Sequence, residues 1–164
     1  MAGWWATKVR QTWRHLSGRL TPAERAALDA WLTEPQRQLF ATMHPADQRH
    51  GLDVVTALRA AGHDEPDLLL AGLFHDAAKG PQVRLVHRVA WSLGEHYGPA
   101  VRSAAARLPG FGAAFERIAD HPERSATLAL AAGCSPLTAD LIRHQAAPDD
   151  PVLGQALLLA DEAS

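Results

Sequence analysis

Four imidazoles and two carboxylates are spread along this chain at positions that separate helices could bring to one point: His50, the pair His75-Asp76, His121, His144 and Asp161. Imidazole nitrogen and carboxylate oxygen are the usual donors for borderline divalent cations, and six of them exceed what one ordinary ion takes. Two ions sharing a carboxylate would use the whole set. Such a pair suits phosphoryl displacement, where it clamps the attacking and leaving oxygens and acidifies the attacking water. That chemistry needs no side-chain nucleophile.

The pair His75-Asp76 anchors the set. It closes the apolar stretch Leu68-Leu69-Leu70-Ala71-Gly72-Leu73-Phe74 and precedes Ala77-Ala78-Lys79-Gly80, which reads as a buried helix from about Pro66 to Lys79 carrying both ligands. Adjacent side chains on a helix point about 100° apart, close enough to share one cation. Nine His and eleven Asp give about 0.6 such dipeptides by chance, and a second one, His63-Asp64, does occur. Between Gly62 and Pro66 that second pair reads as a turn, with Gly62 ending one helix and Asp64 capping the next. Asp161 follows Ala156-Leu157-Leu158-Leu159-Ala160, and a carboxylate buried after such a run is costly without a cation. Each histidine also has a plainer reading. His50 alone would be an ordinary partly buried core residue, His121 could merely precede a helix start, and an imidazolium at His144 would suit a helix C-terminus.

Taken in order, these residues resemble the HD-domain metal-dependent phosphohydrolases, whose signature is a His, a His-Asp pair and a distal Asp, with two further His in the binuclear branch. The resemblance covers about residues 45–162 and includes Lys79, three positions after Asp76. It implies that His50, His75, Asp76 and Asp161 hold a first ion, that Asp76 bridges, and that His121 and His144 hold a second. Mn, Fe or Co suit the mixed donors best, with Mg or Ni also admissible. Lys79 would sit on nearly the same helical face as Asp76 and hold a phosphate oxygen; the alternative is that it only balances a helix C-terminus before Gly80. The chain departs from the cyclic-dinucleotide phosphodiesterases, because Gln145 leads to Ala146-Ala147-Pro148 and not to their Gly-Tyr-Pro element. Its compact size is more similar to the small nucleotide-hydrolysing members. His87, beside Arg84 and Arg88, and Arg143, beside His144, are the substrate-contact candidates, against the plainer reading of solvated helix surface. Arg49, next to His50, has the same plainer reading.

Composition fits this picture. With 164 residues, 47% of them hydrophobic, one sizeable core is expected, with residues 1–44 as a helical extension packing on a site-bearing domain over 45–164. A formal charge of −2 gives no general attraction to long nucleic acid, so a small phosphorylated substrate, a nucleotide above all, is the expected partner. The sole cysteine, Cys134, excludes an internal disulfide and a zinc–thiolate site; between Gly133 and Ser135-Pro136 it belongs to an interhelical turn. No run approaches the ~20 apolar residues of a membrane span, and the N-terminus lacks the apolar core of a signal peptide. The expected location is the cytoplasm.

The elements that must position the ligands are all helical. Thr21-Pro22-Ala23-Glu24 and Thr33-Glu34-Pro35-Gln36 have capping-box patterns, starting helices that run to about Leu32 and Met43. Pro45 opens a helix with Val54, Val55, Leu58 and Ala61 on one face, ending at Gly62. Further helices are expected over Val83 to Tyr97 and Pro99 to Leu108, and from near Pro122, Pro136 and Pro151, while Phe111 to Ala119 is ambiguous. No strand alternation occurs, so the fold class is all-α, a compact helical bundle. Residues 1–20 carry Lys8, Arg10, Arg14 and Arg19 without an acid, and Trp4 or Trp5, Val9, Trp13, Leu16 and Leu20 form one stripe. A membrane-surface helix over residues 4–20 has this pattern. Packing on the domain or on a second copy in a homodimer is preferred, since four cations are few for stable anchoring.

Two functions remain open at this point. One is a two-metal phosphohydrolase using Asp76 and Lys79; the other is a non-catalytic module of the same fold that binds a nucleotide or a protein.

Overall fold

Proline and capping side chains set most of the helix starts. The computed structural model describes residues 19–80 and 83–164. Among the described residues there are nine helices and no strand: α1 (Pro22–Asp29), α2 (Glu34–Thr42), α3 (Pro45–Ala60), α4 (Pro66–Phe74), α5 (Leu85–Tyr97), α6 (Pro99–Ala106), α7 (Phe111–Ala131), α8 (Pro136–Arg143) and α9 (Leu153–Ala163). The fold is all-α, as expected. Pro22, Pro45, Pro66, Pro99 and Pro136 each stand at the first helical position, where a missing N–H loses no intrahelical bond. Thr21 and Glu24 close a reciprocal capping box, the Glu24 N–H donating to Thr21 Oγ1 (3.2 Å) and the Thr21 N–H to Glu24 Oε2 (2.8 Å).

Two apolar clusters share the long helix α7. The larger joins α1 to α4, α8, α9 and the C-terminal half of α7 through residues such as Phe40, Val54, Leu58, Leu73, Phe74, Ile142 and Leu157. Removing each such side chain from water contributes about 1.5–3 kcal/mol. The smaller cluster lies between α5, α6 and the first half of α7, with Val83, Phe115 and Ile118 buried and Trp91 and Phe111 packed on them. Leu28, Leu39, Phe40 and Met43 belong to the larger cluster, so the described residues before position 45 share the core of those after it. A buried salt bridge links a helix of each cluster: Arg88 on α5 donates to both oxygens of the fully buried Asp47 on α3, at 2.6 and 2.8 Å.

Four expectations need correction. The helix carrying His75-Asp76 does not run to Lys79, because α4 ends at Phe74 and bonds of the i to i+3 type from Ala77 N–H to Phe74 and from Lys79 N–H to Asp76 tighten the chain into turns. Helix α7 passes straight through Pro122 instead of beginning there. The last helix starts at Leu153, two residues beyond Pro151, where the Asp150 carboxylate accepts the N–H groups of Val152 and Leu153. Asp64 is likewise not the N-cap of α4. Pro66 is the first helical residue, which makes Glu65 the cap. The Trp-bearing basic stripe falls on residues 1–18 and lies outside the described residues, apart from Arg19 and Leu20. Among the described residues no helix is long and apolar enough to cross a membrane.

Candidate metal centre

Four parts of the bundle deliver ligands to one buried point. His50 comes from the middle of α3, His75 and Asp76 from the turn after α4, His121 from α7 and Asp161 from α9. The α3–α4 contact is close enough to fix the first two, since a methyl group added at Gly51 would lie 2.5 Å from the Leu73 carbonyl oxygen. His50 Nε2 is 2.7 Å from Asp161 Oδ1, and His75 Nε2 is 3.3 Å from the same oxygen. Asp76 Oδ1 lies 3.5 Å from His75 Nε2 and 3.2 Å from His121 Nε2. One ligand atom from each of His50, His75 and Asp76 falls within 4.8 Å of the others, a spacing that one cation can gather.

Outer contacts aim the imidazoles. His75 donates from Nδ1 to the Gly72 carbonyl (2.9 Å), and His121 donates from Nδ1 to the Ile118 carbonyl (2.5 Å). Holding the proton on Nδ1 leaves Nε2 as the ligating nitrogen in both. Pro122 explains the second bond, because it lacks the N–H that would otherwise take up the carbonyl four residues back, and that carbonyl belongs to Ile118. The turn itself is pinned by Ser125 of α7, whose Oγ accepts the Ala78 N–H at 3.0 Å, and by Gln145, whose Nε2 donates to the His75 carbonyl at 3.4 Å.

Buried polar atoms without partners test the fit to a cation. His75 and Asp76 are each only 2% exposed, and His75 Nε2 and Asp76 Oδ1 make no hydrogen bond among the described residues. Leaving two such atoms unsatisfied costs about 1–3 kcal/mol each, and both face the nitrogens and oxygen of His50, His121 and Asp161. This donor set fits a divalent ion. Its electrostatics agree: burial opposes ionisation of Asp76, but Lys79, His75 and His121 hold its carboxyl well below the usual range. Burial likewise opposes ionisation of Asp161, and His75 and His50 outweigh it. Desolvation would lower the His75 pKa, yet the two carboxylates push it up to about 9.

The other expected site residues are placed as follows. Lys79 Nζ donates to Asp76 Oδ2 at 2.5 Å, so it neutralises the carboxylate oxygen opposite the one facing the imidazoles. His144, at the end of α8, stands 37% exposed with Nδ1 3.4 Å from Asp140 and Nε2 3.6 Å from Asp149; no hydrogen bond or ion pair joins it to Asp76 or His121 among the described residues. Arg143 is engaged with Glu123 of α7 at 2.6 Å. Arg49 binds Glu24 and Asp53, tying α1 to α3. His87 lies on α5, its Nδ1 accepting the Arg84 N–H at 3.1 Å and its ring standing edge-on to Phe111. Cys134 is buried, and burial pushes its thiol pKa up, which suits an inert turn residue.

Sequence reasoning missed Asp47, Arg88, Ser125 and Gln145. Asp47 lies one turn before His50, a spacing that could have marked it as a neighbour of the site. Gln145 and Ser125 carry no comparable signal. Comparison with family models, curated proteins and solved structures finds nothing that matches this chain.

Proposed function

We propose that this chain is a metal-dependent phosphohydrolase that cleaves a phosphoester or phosphoanhydride of a small phosphorylated substrate, a nucleotide being the best candidate, in the cytoplasm. The observation that carries this reading is that the buried atoms His75 Nε2 and Asp76 Oδ1 make no hydrogen bond among the described residues and face Asp161 and His121 at 3.3 and 3.2 Å. Divalent ions bound there would supply Lewis acidity toward phosphoryl oxygens and a more acidic water. The chain's own residues do the rest: the carbonyls of Gly72 and Ile118 keep Nε2 of His75 and His121 inward, the bundle excludes bulk water, and Lys79 offers an ammonium beside Asp76. A phosphate oxygen arriving at Asp76 meets that ammonium.

His50, His75, Asp76 and Asp161 form the better assembled half of the set. A second ion would need Asp76 Oδ2, now held by Lys79, and His144, now against Asp140 and Asp149. Those two contacts favour the second reading, a non-catalytic module of this fold that binds a nucleotide or a protein.

Metal analysis of protein purified without chelator, followed by a phosphoester panel with added Mn²⁺, separates the two. The expected outcome is stoichiometric Mn, Fe or Co and turnover of at least one nucleotide, both lost in Asp76→Ala while the far-ultraviolet dichroism stays helical. Neither metal nor turnover in the parent protein would leave the non-catalytic module.

A further inference from the structure

We propose that the cleft between α5 and α7 is a second binding site, taking the anionic, ring-bearing end of a nucleotide whose reacting phosphorus lies at the metal centre. The cleft has a volume of about 640 Å³, within the roughly 300–1,000 Å³ of small-molecule sites. Arg84, His87 and Arg117 line it together with Val86, Phe111 and Ala114. Arg84 and Arg117 form no ion pair among the described residues; the same holds of Arg25, Arg59, Arg102 and Arg107, but Arg84 and Arg117 share one concavity. Two uncommitted guanidinium groups in one concavity suit a phosphate or carboxylate, which each can bind with two parallel N–H bonds. His87 adds a donor, because its Nδ1 is occupied as an acceptor and the ring proton is therefore on Nε2. Phe111, half-buried against His87, provides a flat apolar surface on which a base can stack.

Helix α7 connects the cleft to the metal centre. Arg117 lies one turn before His121 on that helix, and its guanidinium sits against Gly80, where an added methyl would be 3.4 Å from Nη1. Gly80 directly follows Lys79. Ten residues separate Phe111 from His121, about 15 Å along the helix axis. A single phosphate cannot span that distance; a nucleoside joined to its reacting phosphorus through further phosphates can, with Arg117 and Lys79 along the way. The ligand's reacting end rests on the phosphohydrolase reading, while its cleft end does not.

Calorimetric titration of ADP and of pyrophosphate into chelator-treated protein tests the cleft directly. ADP is expected to bind, to weaken about tenfold or more in Arg84→Ala/Arg117→Ala, and to weaken in Phe111→Leu while pyrophosphate does not. Equal ADP affinity in parent and double variant, or no ADP binding at millimolar concentration, would overturn the proposal and leave the metal centre standing. Loss of ADP binding in the double variant of a protein that holds no metal and hydrolyses nothing would support the cleft and remove the phosphohydrolase reading.

Discussion

Pro122 shows a local penalty used for geometry. Inside a helix, proline costs about 3 kcal/mol by removing a bond and crowding the carbonyl four residues earlier. In α7 that carbonyl is Ile118's, and His121 takes it with Nδ1, turning Nε2 toward Asp76. Replacing Pro122 with Ala returns a backbone N–H that competes for the same carbonyl. We expect Pro122→Ala to raise stability by about 1–3 kcal/mol in denaturant unfolding and, against that trend, to weaken divalent-metal binding. A variant that is more stable with metal affinity unchanged would remove the aiming role assigned to the proline. Asp76 and Asp161 were legible as candidate ligands because a carboxylate after an apolar run is costly to bury alone, whereas His50, His121 and His144 were legible only through their order in the resemblance. The separation of His144 from the rest was not, since its neighbours Asp140 and Asp149 lie on its own stretch of chain and only the path after α8 decides which way the ring faces. The burial of Asp47 was not legible for a related reason, because its partner Arg88 is distant in sequence and an acid on a helix reads as surface even one turn from a candidate ligand.

Helix starts were the most legible elements, for a physical reason that also explains the failures. A proline with a Thr or Ser before it specifies a start locally, and Thr21, Thr33 and Ser135 fulfil that expectation as caps. Pro122 has no Thr or Ser before it, but neither do Pro45, Pro66 and Pro99, which do open helices; packing of Ser125, Ala126 and Ala129 in the core accompanies the helix through Pro122. Helix-to-helix contact is less visible still, as Gly51 illustrates. In sequence it is a glycine inside a helix, a mild penalty; in the fold it lets α3 touch the backbone of α4 at Leu73. Gly51→Ala should therefore cost about 1–3 kcal/mol through overpacking and reduce metal affinity although every ligand remains. Denaturant unfolding together with metal titration checks this; unchanged affinity would mean that the α3–α4 approach does not set the ligand spacing. The capping box of α1 predicts a pH dependence. Bonds from Arg49 and from Thr21 pull Glu24 down to about 2, below its ordinary value in the unfolded chain, so its contribution is complete above pH ~4.5 and is lost as pH falls toward 2. The stability difference between parent and Glu24→Gln should shrink over that interval. A difference that is flat from pH 6 to 2.5 would show that the carboxylate contributes nothing as an anion.

At the scale of the molecule, the candidate ligands come from α3, the turn after α4, α7 and α9, so an ion bound among them would cross-link segments from positions 50 to 161. Two apolar clusters take buried or partly buried side chains from every helix, so the metal's effect is expected to appear as linkage and not as a requirement for folding. At free metal a hundredfold above its dissociation constant, the added stability is about 2.7 kcal/mol, which for a chain of this size is a melting-point rise of roughly 5–10 °C. Which residues transmit that rise follows from their positions. Asp161 faces His50 and His75 at 2.7 and 3.3 Å, so Asp161→Ala should abolish the shift. His144 is held by Asp140 and Asp149 on its own side of the bundle, so His144→Ala should keep most of it. Differential scanning calorimetry with Mn²⁺ and with chelator, on the parent and both variants, makes the comparison. If His144→Ala erases the shift as completely as Asp161→Ala, His144 must leave its acidic neighbours to complete the centre, and the two ions would then assemble as one cooperative unit instead of a strong site with a weaker companion.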